Sequence, residues 1–341
     1  MIRKTAKIIL LVALTLVAFI GYDIYRKIFS PNVFSRETYL NIPTGSDYVR
    51  VLTILIEKNI VKNKSSFDWL AKKMKYDKNI HPGHYRITPG MNNKDLITLL
   101  RSGKQTPVRL TLNNIRLATQ LASVISTTLE ADSISVINLL KDDAYLKQYG
   151  FNSQNCIALF IPNTYEFYWN SSAKKILERM TKEYKLFWNS ARKLKAKSAA
   201  LTQAEVSIIA SIVQQETNRD DEKPIIAGVY INRYKKGWKL EADPTLVYAL
   251  GDFTVQRVLS LYKEIDSPYN TYMYTGLPPG PICIPSISSI EAVLNYSQHQ
   301  YLYFCARDDF SGYHSFAKTY QEHLINAKRF QKELNRRKIK S

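Results

Sequence analysis

Residues 202–217, TQAEVSIIASIVQQET, decide how the rest of the chain is read. Thr202 and Glu205 stand in a T-x-x-E spacing, which caps a helix by satisfying free amides at its start. Val206, Ile209, Ile212 and Val213 then recur at helical spacing and define one apolar stripe. Glu216 follows Ile209 by seven residues and Ile212 by four, near the middle of that stripe, while Gln214 and Gln215 point further round, toward water or a partner. A lone carboxylate in an apolar setting is costly to ionise, so its pKa is expected to rise. A carboxylic acid that keeps its proton near neutral pH is what a general acid needs. The plainer reading of the same residue is a helix-end glutamate paired with Arg219 at the surface.

Outward from this stretch, the chain of 341 residues is long enough for two or three domains, with an ordinary apolar fraction. Its formal charge of +19 points to an anionic neighbour: nucleic acid, a membrane surface or an acidic polymer. Tyrosine is frequent, at 23 residues, and aromatic faces stack on sugars as readily as on bases. Cys156, Cys283 and Cys305 lack metal-ligand or C-x-x-C spacing and read as small buried apolar residues. No metal and no cofactor is called for.

The N-terminus carries Arg3, Lys4 and Lys7 before an uncharged run from Ile8 to Tyr22, followed by Asp23, Arg26 and Lys27. With Tyr22 and Tyr25 as interfacial anchors the run reads as a single membrane span. No A-x-A cleavage pattern follows, so an uncleaved signal anchor is expected. The short tail before the span orients it with the N-terminus cytoplasmic. Everything after Phe29 then lies on the outer side of the plasma membrane, which disfavours nucleic acid as the partner. No helix-turn-helix, zinc or RNP-type signature is present either.

After a Ser30-Pro31 linker, a small α+β module is expected. Its elements are a strand at Glu37–Asn41, a helix opened by Ser46, another opened by Ser65 or Ser66, a strand at Gly83–Ile87 and a helix at Leu96–Leu100 stopped by Gly103. Val108–Leu112 closes it as a strand. From Ile115 to about Leu146 the pattern is helical, with Leu117, Leu121, Val124 and Ile125 on one face. The run Leu159–Glu166 reads as an aromatic turn whose Asn163, Thr164 and Tyr165 suit sugar hydroxyls, or equally as a well-packed turn. One long basic helix is expected from Ser172 to Lys197. Pro224 at a first helical position starts a helix through Ile226, Val229, Tyr230 and Arg233, ended by Gly237. Asp243 reads as the N-cap before Pro244. The loops 267–272 and 275–281, rich in Gly and Pro, are of the kind that line sites. Tyr301–Ala306 reads as a buried strand and Gly312–Thr319 as a turn in which His314 is structural.

Five blocks now carry a resemblance: Ala210–Thr217, Ile231-Asn232-Arg233, Asp243-Pro244-Thr245, Ser267–Tyr272 and Gly276-Leu277-Pro278-Pro279-Gly280. In order and spacing they resemble the YceG-like family of endolytic murein transglycosylases, over roughly the last two thirds of the chain. The family pattern E-K-E-T is here Gln214-Gln215-Glu216-Thr217, which loses the first acid and keeps the one matching the family's catalytic glutamate. The family's F-P-D-T-Y turn is Ile161-Pro162-Asn163-Thr164-Tyr165, with an amide in place of the acid.

The resemblance implies an α+β chain: an N-terminal transmembrane helix, a small LysM-like α+β subdomain and a larger mixed α/β catalytic domain. The corresponding bounds are a cytoplasmic tail at 1–7, an anchor at 8–25, a linker at 26–37, the LysM-like part at 38–112, the catalytic part at 113–336 and a basic tail at 337–341. It implies cleavage of the β-1,4 bond between N-acetylmuramic acid and N-acetylglucosamine in nascent glycan strands, by attack of the sugar's own 6-hydroxyl, leaving a 1,6-anhydro end. Glu216 would be the acid/base. Asn163, Tyr165, Asp243, Thr245 and Tyr248, with Ser267, Tyr269, Asn270 and Thr271, would contact substrate. The partners implied are peptidoglycan strands, the plasma membrane and peptidoglycan synthases. The competing class is a non-catalytic glycan-binding scaffold in which Glu216 is structural.

Overall fold

The computed structural model describes residues 2–34, 36–255 and 258–337; the expected basic tail therefore lies, apart from Arg337, outside the described residues. The chain divides into two compact units. One holds residues up to 110 with 127–131 and 166–172, and the other holds 111–126, 132–165 and the chain from 173 onward.

The first unit begins with α1 (Ile2–Phe29). Its segment Lys4–Phe29 is long and apolar enough to cross a membrane, and its most apolar stretch is exposed. At about 1.5 Å per residue those 26 residues exceed a hydrocarbon core of about 30 Å. The helix thus extends past the expected span of 8–25. Then come β1 (Thr38–Ile42), α2 (Tyr48–Glu57), α3 (Lys64–Lys73), β2 (Gly83–Ile87) and α4 (Asn93–Ser102). β1 and β2 pair antiparallel, with Thr38 opposite Ile87 and Ile42 opposite Gly83. Leu40, Ile42, Tyr85 and Ile87 face inward onto Leu55, Phe67 and Leu96. Two helix starts move. Asp47 caps α2 in place of Ser46, and Asn63 caps α3 in place of Ser65 or Ser66. Gly103 ends α4 at φ 64°, a left-handed position that glycine takes without strain.

The linker expected at 26–37 is partly interior. Val33 is buried in the core and Ile28 packs against it. Asn32 donates to the Asn93 side-chain oxygen at 2.7 Å, and Asn93 donates to the Lys27 carbonyl at 2.8 Å and to Ser66 Oγ at 3.0 Å. Buried amides of this kind are tolerable because each is satisfied.

β3 (Val108–Leu112) and α5 (Ala118–Thr128) lead into α6 (Ser133–Lys141), α7 (Asp143–Lys147) and β4 (Asn163–Phe167). The helical run from Ile115 is therefore three helices, separated where Asp132 and Asp142 supply new N-caps. The expected aromatic turn gives way to strand β4 from Asn163 onward. The long basic helix is two, α8 (Ala173–Phe187) and α9 (Ser190–Ser198), because Asn189 caps a fresh start and Trp188 is buried at the break.

The second unit is built on α10 (Gln203–Glu216), with α11 (Lys223–Lys235), α12 (Asp243–Leu250) and α13 (Ile287–Leu294) against it. Residues 206–213 of α10 are all buried. The single stripe read from the sequence is thus a helix enclosed on every side, with Ser207 and Ser211 satisfied inside it: Ser207 Oγ donates to the Gln203 carbonyl, and Ser211 Oγ donates to the Ile208 carbonyl and accepts from Ile282 N. The segment Tyr301–Ala306 is only half-buried and contains β5 (Tyr303–Ala306). The middle of the expected turn, holding His314, is strand β6 (His314–Ala317), antiparallel to β5, before α14 (Tyr320–Arg336). Cys156 and Cys283 are buried as expected; Cys305 is partly exposed, and all three are free thiols.

Gly228 lets α11 approach the 297–299 segment: a Cβ there would stand 2.5 Å from the Ser297 carbonyl oxygen and 2.6 Å from His299 Nε2. Gly228→Ala is expected to cost about 1–3 kcal/mol through this overpacking, read as a lower urea midpoint with an unchanged slope.

Candidate active site

Glu216 is the last residue of α10, after which Thr217 turns the backbone to an extended conformation at φ −145°, ψ 142°. The side chain is half-buried and does not pair with Arg219, whose guanidinium donates to the Ser311 carbonyl at 2.7 Å. Its partner is Tyr230 of α11, a buried residue whose hydroxyl donates to Glu216 Oε1 at 2.5 Å. Gln214 and Gln215 also turn inward, contrary to the sequence reading. Gln214 accepts from the Ser286 and Ser289 hydroxyls at 2.6 Å, and Gln215 accepts from Arg116 Nη2 at 2.6 Å.

Three cavities share Glu216. One of about 500 Å³ is lined also by Arg116, Asp243, Tyr248, Phe253 and Ile282. A second, of about 310 Å³, adds Tyr230, Arg233, Tyr272, Tyr303 and Tyr320, and again includes Asp243. The third, of about 550 Å³, runs past Asn218, Arg219, Arg307 and Tyr313. An acid standing at the junction of three recesses can reach a bond in an extended substrate from its middle.

Asp243 is the first residue of α12, not its N-cap. Ala242 holds the cap position, with no side-chain cap, so the Asp243 carboxylate is free to accept from the Tyr272 hydroxyl at 2.6 Å. The start of α12 is fixed by residues expected to touch substrate. Thr245 and Thr271 are buried and share a hydrogen bond at 2.8 Å; Thr245 donates to the Ala242 carbonyl and Thr271 accepts from Ala242 N. Asn270 is fully buried, donating to the Lys263 and Ile265 carbonyls and accepting from Tyr272 N and Met273 N. These three hold the framework behind the site. Ser267 accepts from Tyr269 N, bracing the same loop.

Tyr248 and Tyr269 stand with ring centroids 4.6 Å apart, and Tyr248 lines the first cavity. Asn163 and Tyr165 are not among the residues lining the three cavities that share Glu216. Asn163 is exposed, its side chain accepting from Thr164 N, and Tyr165 is buried, donating to the Ile161 carbonyl at 2.7 Å. Conversely, the sequence does not single out Arg116, Tyr230 or Tyr272 as site residues. Tyr272 lies within a quoted motif, but Tyr230 reads as an ordinary helix-interior aromatic, and nothing in the sequence aims it at Glu216. Among the described residues no group of three His, Cys, Asp or Glu side chains is placed to hold a metal ion.

Burial raises the Glu216 pKa to about 7, with the nearby negative charge of Asp243 acting in the same sense and the Tyr230 hydrogen bond opposing both. The Tyr230 phenol is itself driven well up, by burial and by Glu216. A glutamate titrating near 7 is present in both forms at neutral pH and can give or take a proton. Because the folded value lies above the ordinary carboxylate value of 4.5, the native state holds the extra proton between pH 4.5 and about 7. Stability from this group accordingly falls as pH rises through that window. Glu216→Gln is therefore expected to gain stability relative to the parent between pH 5 and pH 8, checked by thermal melts at both. Tyr230→Phe removes the hydrogen bond that favours the ionised form, so the Glu216 titration, followed by carboxyl NMR, is expected to move to higher pH.

The YceG-like family model matches residues 40–329. An endolytic murein transglycosylase of Bacillus subtilis is 31% identical over 300 residues, covering 83% of this chain and 82% of that protein. One from Streptococcus pneumoniae is 26% identical over 322 residues, 84% of this chain but 57% of the longer relative. The crystal structure of a YceG-like protein from Listeria monocytogenes has a TM-score of 0.57 at 28% identity, over 85% of this chain and 98% of that one. With most of its length, residues 40–329, matched by the family model, this chain belongs to the YceG-like family.

Proposed function

We propose that this protein is a peptidoglycan lytic transglycosylase, as its Bacillus and Streptococcus relatives are named. The observation that carries the reading is Glu216, a half-buried carboxyl with a pKa near 7, at the meeting point of three cavities. Glycosidases that use water ordinarily need two carboxylates, one as acid and one as nucleophile or base. Intramolecular attack dispenses with the water. In this reading protonated Glu216 gives its proton to the glycosidic oxygen as that oxygen leaves the anomeric carbon of N-acetylmuramic acid. The resulting carboxylate takes the proton of the same sugar's 6-hydroxyl as its oxygen bonds to the anomeric carbon. The products are a new 4-hydroxyl end and a 1,6-anhydromuramyl end, and Glu216 is protonated again.

Tyr230 holds Oε1 of the glutamate, which leaves Oε2 for the substrate. Asp243, already engaged with Tyr272, orients sugar hydroxyls or the loop and does not act as nucleophile. Tyr248 offers an aromatic face to a sugar ring. The N-terminal helix anchors the enzyme in the plasma membrane with the N-terminus cytoplasmic and the rest outside, beside the nascent strands and the synthases that make them. The small unit, with its two-stranded sheet and helices, is read as LysM-like.

Mass spectrometry of soluble products from uncrosslinked glycan strands tests this. The parent protein is expected to release fragments with anhydromuramyl ends, and Glu216→Gln to lose about 10²–10⁴-fold in rate, the usual contribution of a general acid/base. Reducing muramyl ends as the main product would contradict the intramolecular step. Equal activity in Glu216→Gln would move the acid elsewhere, and retention of glycan without cleavage by either protein would leave a scaffold. The rate is further expected to fall as pH rises through 7, where the acid loses its proton, and that limb to shift to higher pH in Tyr230→Phe.

A further inference from the structure

The third cavity has chemistry that cleavage of a glycosidic bond does not use. Beside Glu216 it is lined by Arg219, Arg307 and Tyr313. The Arg219 guanidinium lies 4.8 Å from the Tyr313 ring centroid and that of Arg307 lies 5.6 Å from it, so two cations share one aromatic ring. Among the described residues neither takes part in an ion pair.

The carboxylates nearby make their hydrogen bonds elsewhere, although the Arg307 charge also acts on Asp309. Asp221 accepts from the Tyr313 hydroxyl at 3.0 Å, Glu222 accepts from the His314 backbone amide and meets His314 Nδ1, each at 2.7 Å, and Asp309 accepts from Ser311 N and Oγ. Those contacts brace the wall, and among the described residues no carboxylate forms an ion pair with either arginine. Arg219 is pinned by one bond to the Ser311 carbonyl, and its other guanidinium donors have no hydrogen-bond partner among the described residues. The second cavity contrasts with this, since Arg233 there is consumed by the Leu302 and Leu240 carbonyls and by Glu241.

A held guanidinium with free donors is suited to a carboxylate, and stacking on tyrosine keeps its plane available. A neutral polysaccharide has no use for such a pair. We propose that Arg219 and Arg307 form a subsite for a carboxylate carried on the muramyl sugar, either the lactyl carboxylate itself or one on a peptide attached to it. This rests on the reading of the substrate as peptidoglycan. It makes this arm of the cleft a reader of side-chain charge.

The test is binding by the full chain in detergent, with Glu216→Gln as parent so that no turnover intervenes. The double variant Arg219→Ala/Arg307→Ala is compared with that parent on three probes: a neutral N-acetylglucosamine hexamer, peptide-free glycan strands with exposed lactyl carboxylates, and peptide-bearing strands. The expected result is a loss of about tenfold or more for carboxylate-bearing probes, with hexamer binding unchanged, which also reports an intact fold. Loss on peptide-free strands alone assigns the lactyl carboxylate, which is an amide in peptide-bearing strands; loss on peptide-bearing strands alone assigns a peptide carboxylate; loss on both shows a subsite that takes either carboxylate. Equal affinity of variant and parent on all probes, an equal loss on the hexamer, or no binding of charged strands by the parent would overturn the subsite. Cleavage of strands by the protein with Glu216 intact, assayed separately, reports on the proposed function alone, so the two readings can fail independently.

Discussion

The hydrogen bond from Tyr230 to Glu216, made at the end of an enclosed helix, is the constraint on which the site depends. α10 is buried on every side from Val206 to Val213, so its direction is set by packing and its last residue can emerge in only one place. That place is the junction of the three cavities. There the carboxyl is desolvated and close to Asp243, and it sits at the helix C-terminus, whose partial negative charge also disfavours ionisation. Without a donor such a group would hold its proton to still higher pH. The buried Tyr230 hydroxyl offsets part of that and fixes one carboxyl oxygen.

A second set of contacts holds the opposite wall. Thr245 and Thr271 tie the start of α12 to the 267–272 loop, and Asn270 shapes that loop by engaging four backbone groups. The outcome is an oriented pair, Tyr272 on Asp243, facing the cleft. Gly280 serves the neighbouring loop in a different way. A Cβ there would overlap the Gln154 carbonyl oxygen, so only glycine lets the two backbones meet. Loops with no periodic core pattern are thus as firmly placed as the helices, by polar groups facing inward.

In the small unit the same principle ties the apolar N-terminal helix to the α+β module. Asn93 reaches the Lys27 carbonyl near the end of α1, while Asn32 and Ser66 complete a closed network beneath it. Ile28 and Val33 add apolar contact. The segment just after the apolar run is therefore structured, although its Ser-Pro composition reads as a tether.

Some local signals were legible in the sequence. The T-x-x-E box at Thr202 and Glu205 forms as spaced, Gly83–Ile87 is a strand, Gly103 ends its helix and Pro224 stands in the first turn of α11. Each depends on a few neighbouring residues and on the geometry of one peptide turn. Glu216 could be singled out because an acid in an apolar stripe conflicts with its surroundings, a conflict visible at a spacing of four. What encloses α10 was not legible, since a stripe and a fully buried helix differ only in what packs on the remaining faces. Nor were the partners that give the acid its pKa. Tyr230 lies 14 residues away on another helix, Asp243 at the start of a third, and only the packing of α10, α11 and α12 brings them together. For the same reason Thr245, Asn270 and Thr271 read as sugar-binding groups. Hydroxyls and amides serve equally to meet a ligand or to satisfy buried backbone, and burial, which belongs to the tertiary structure, decides between the two.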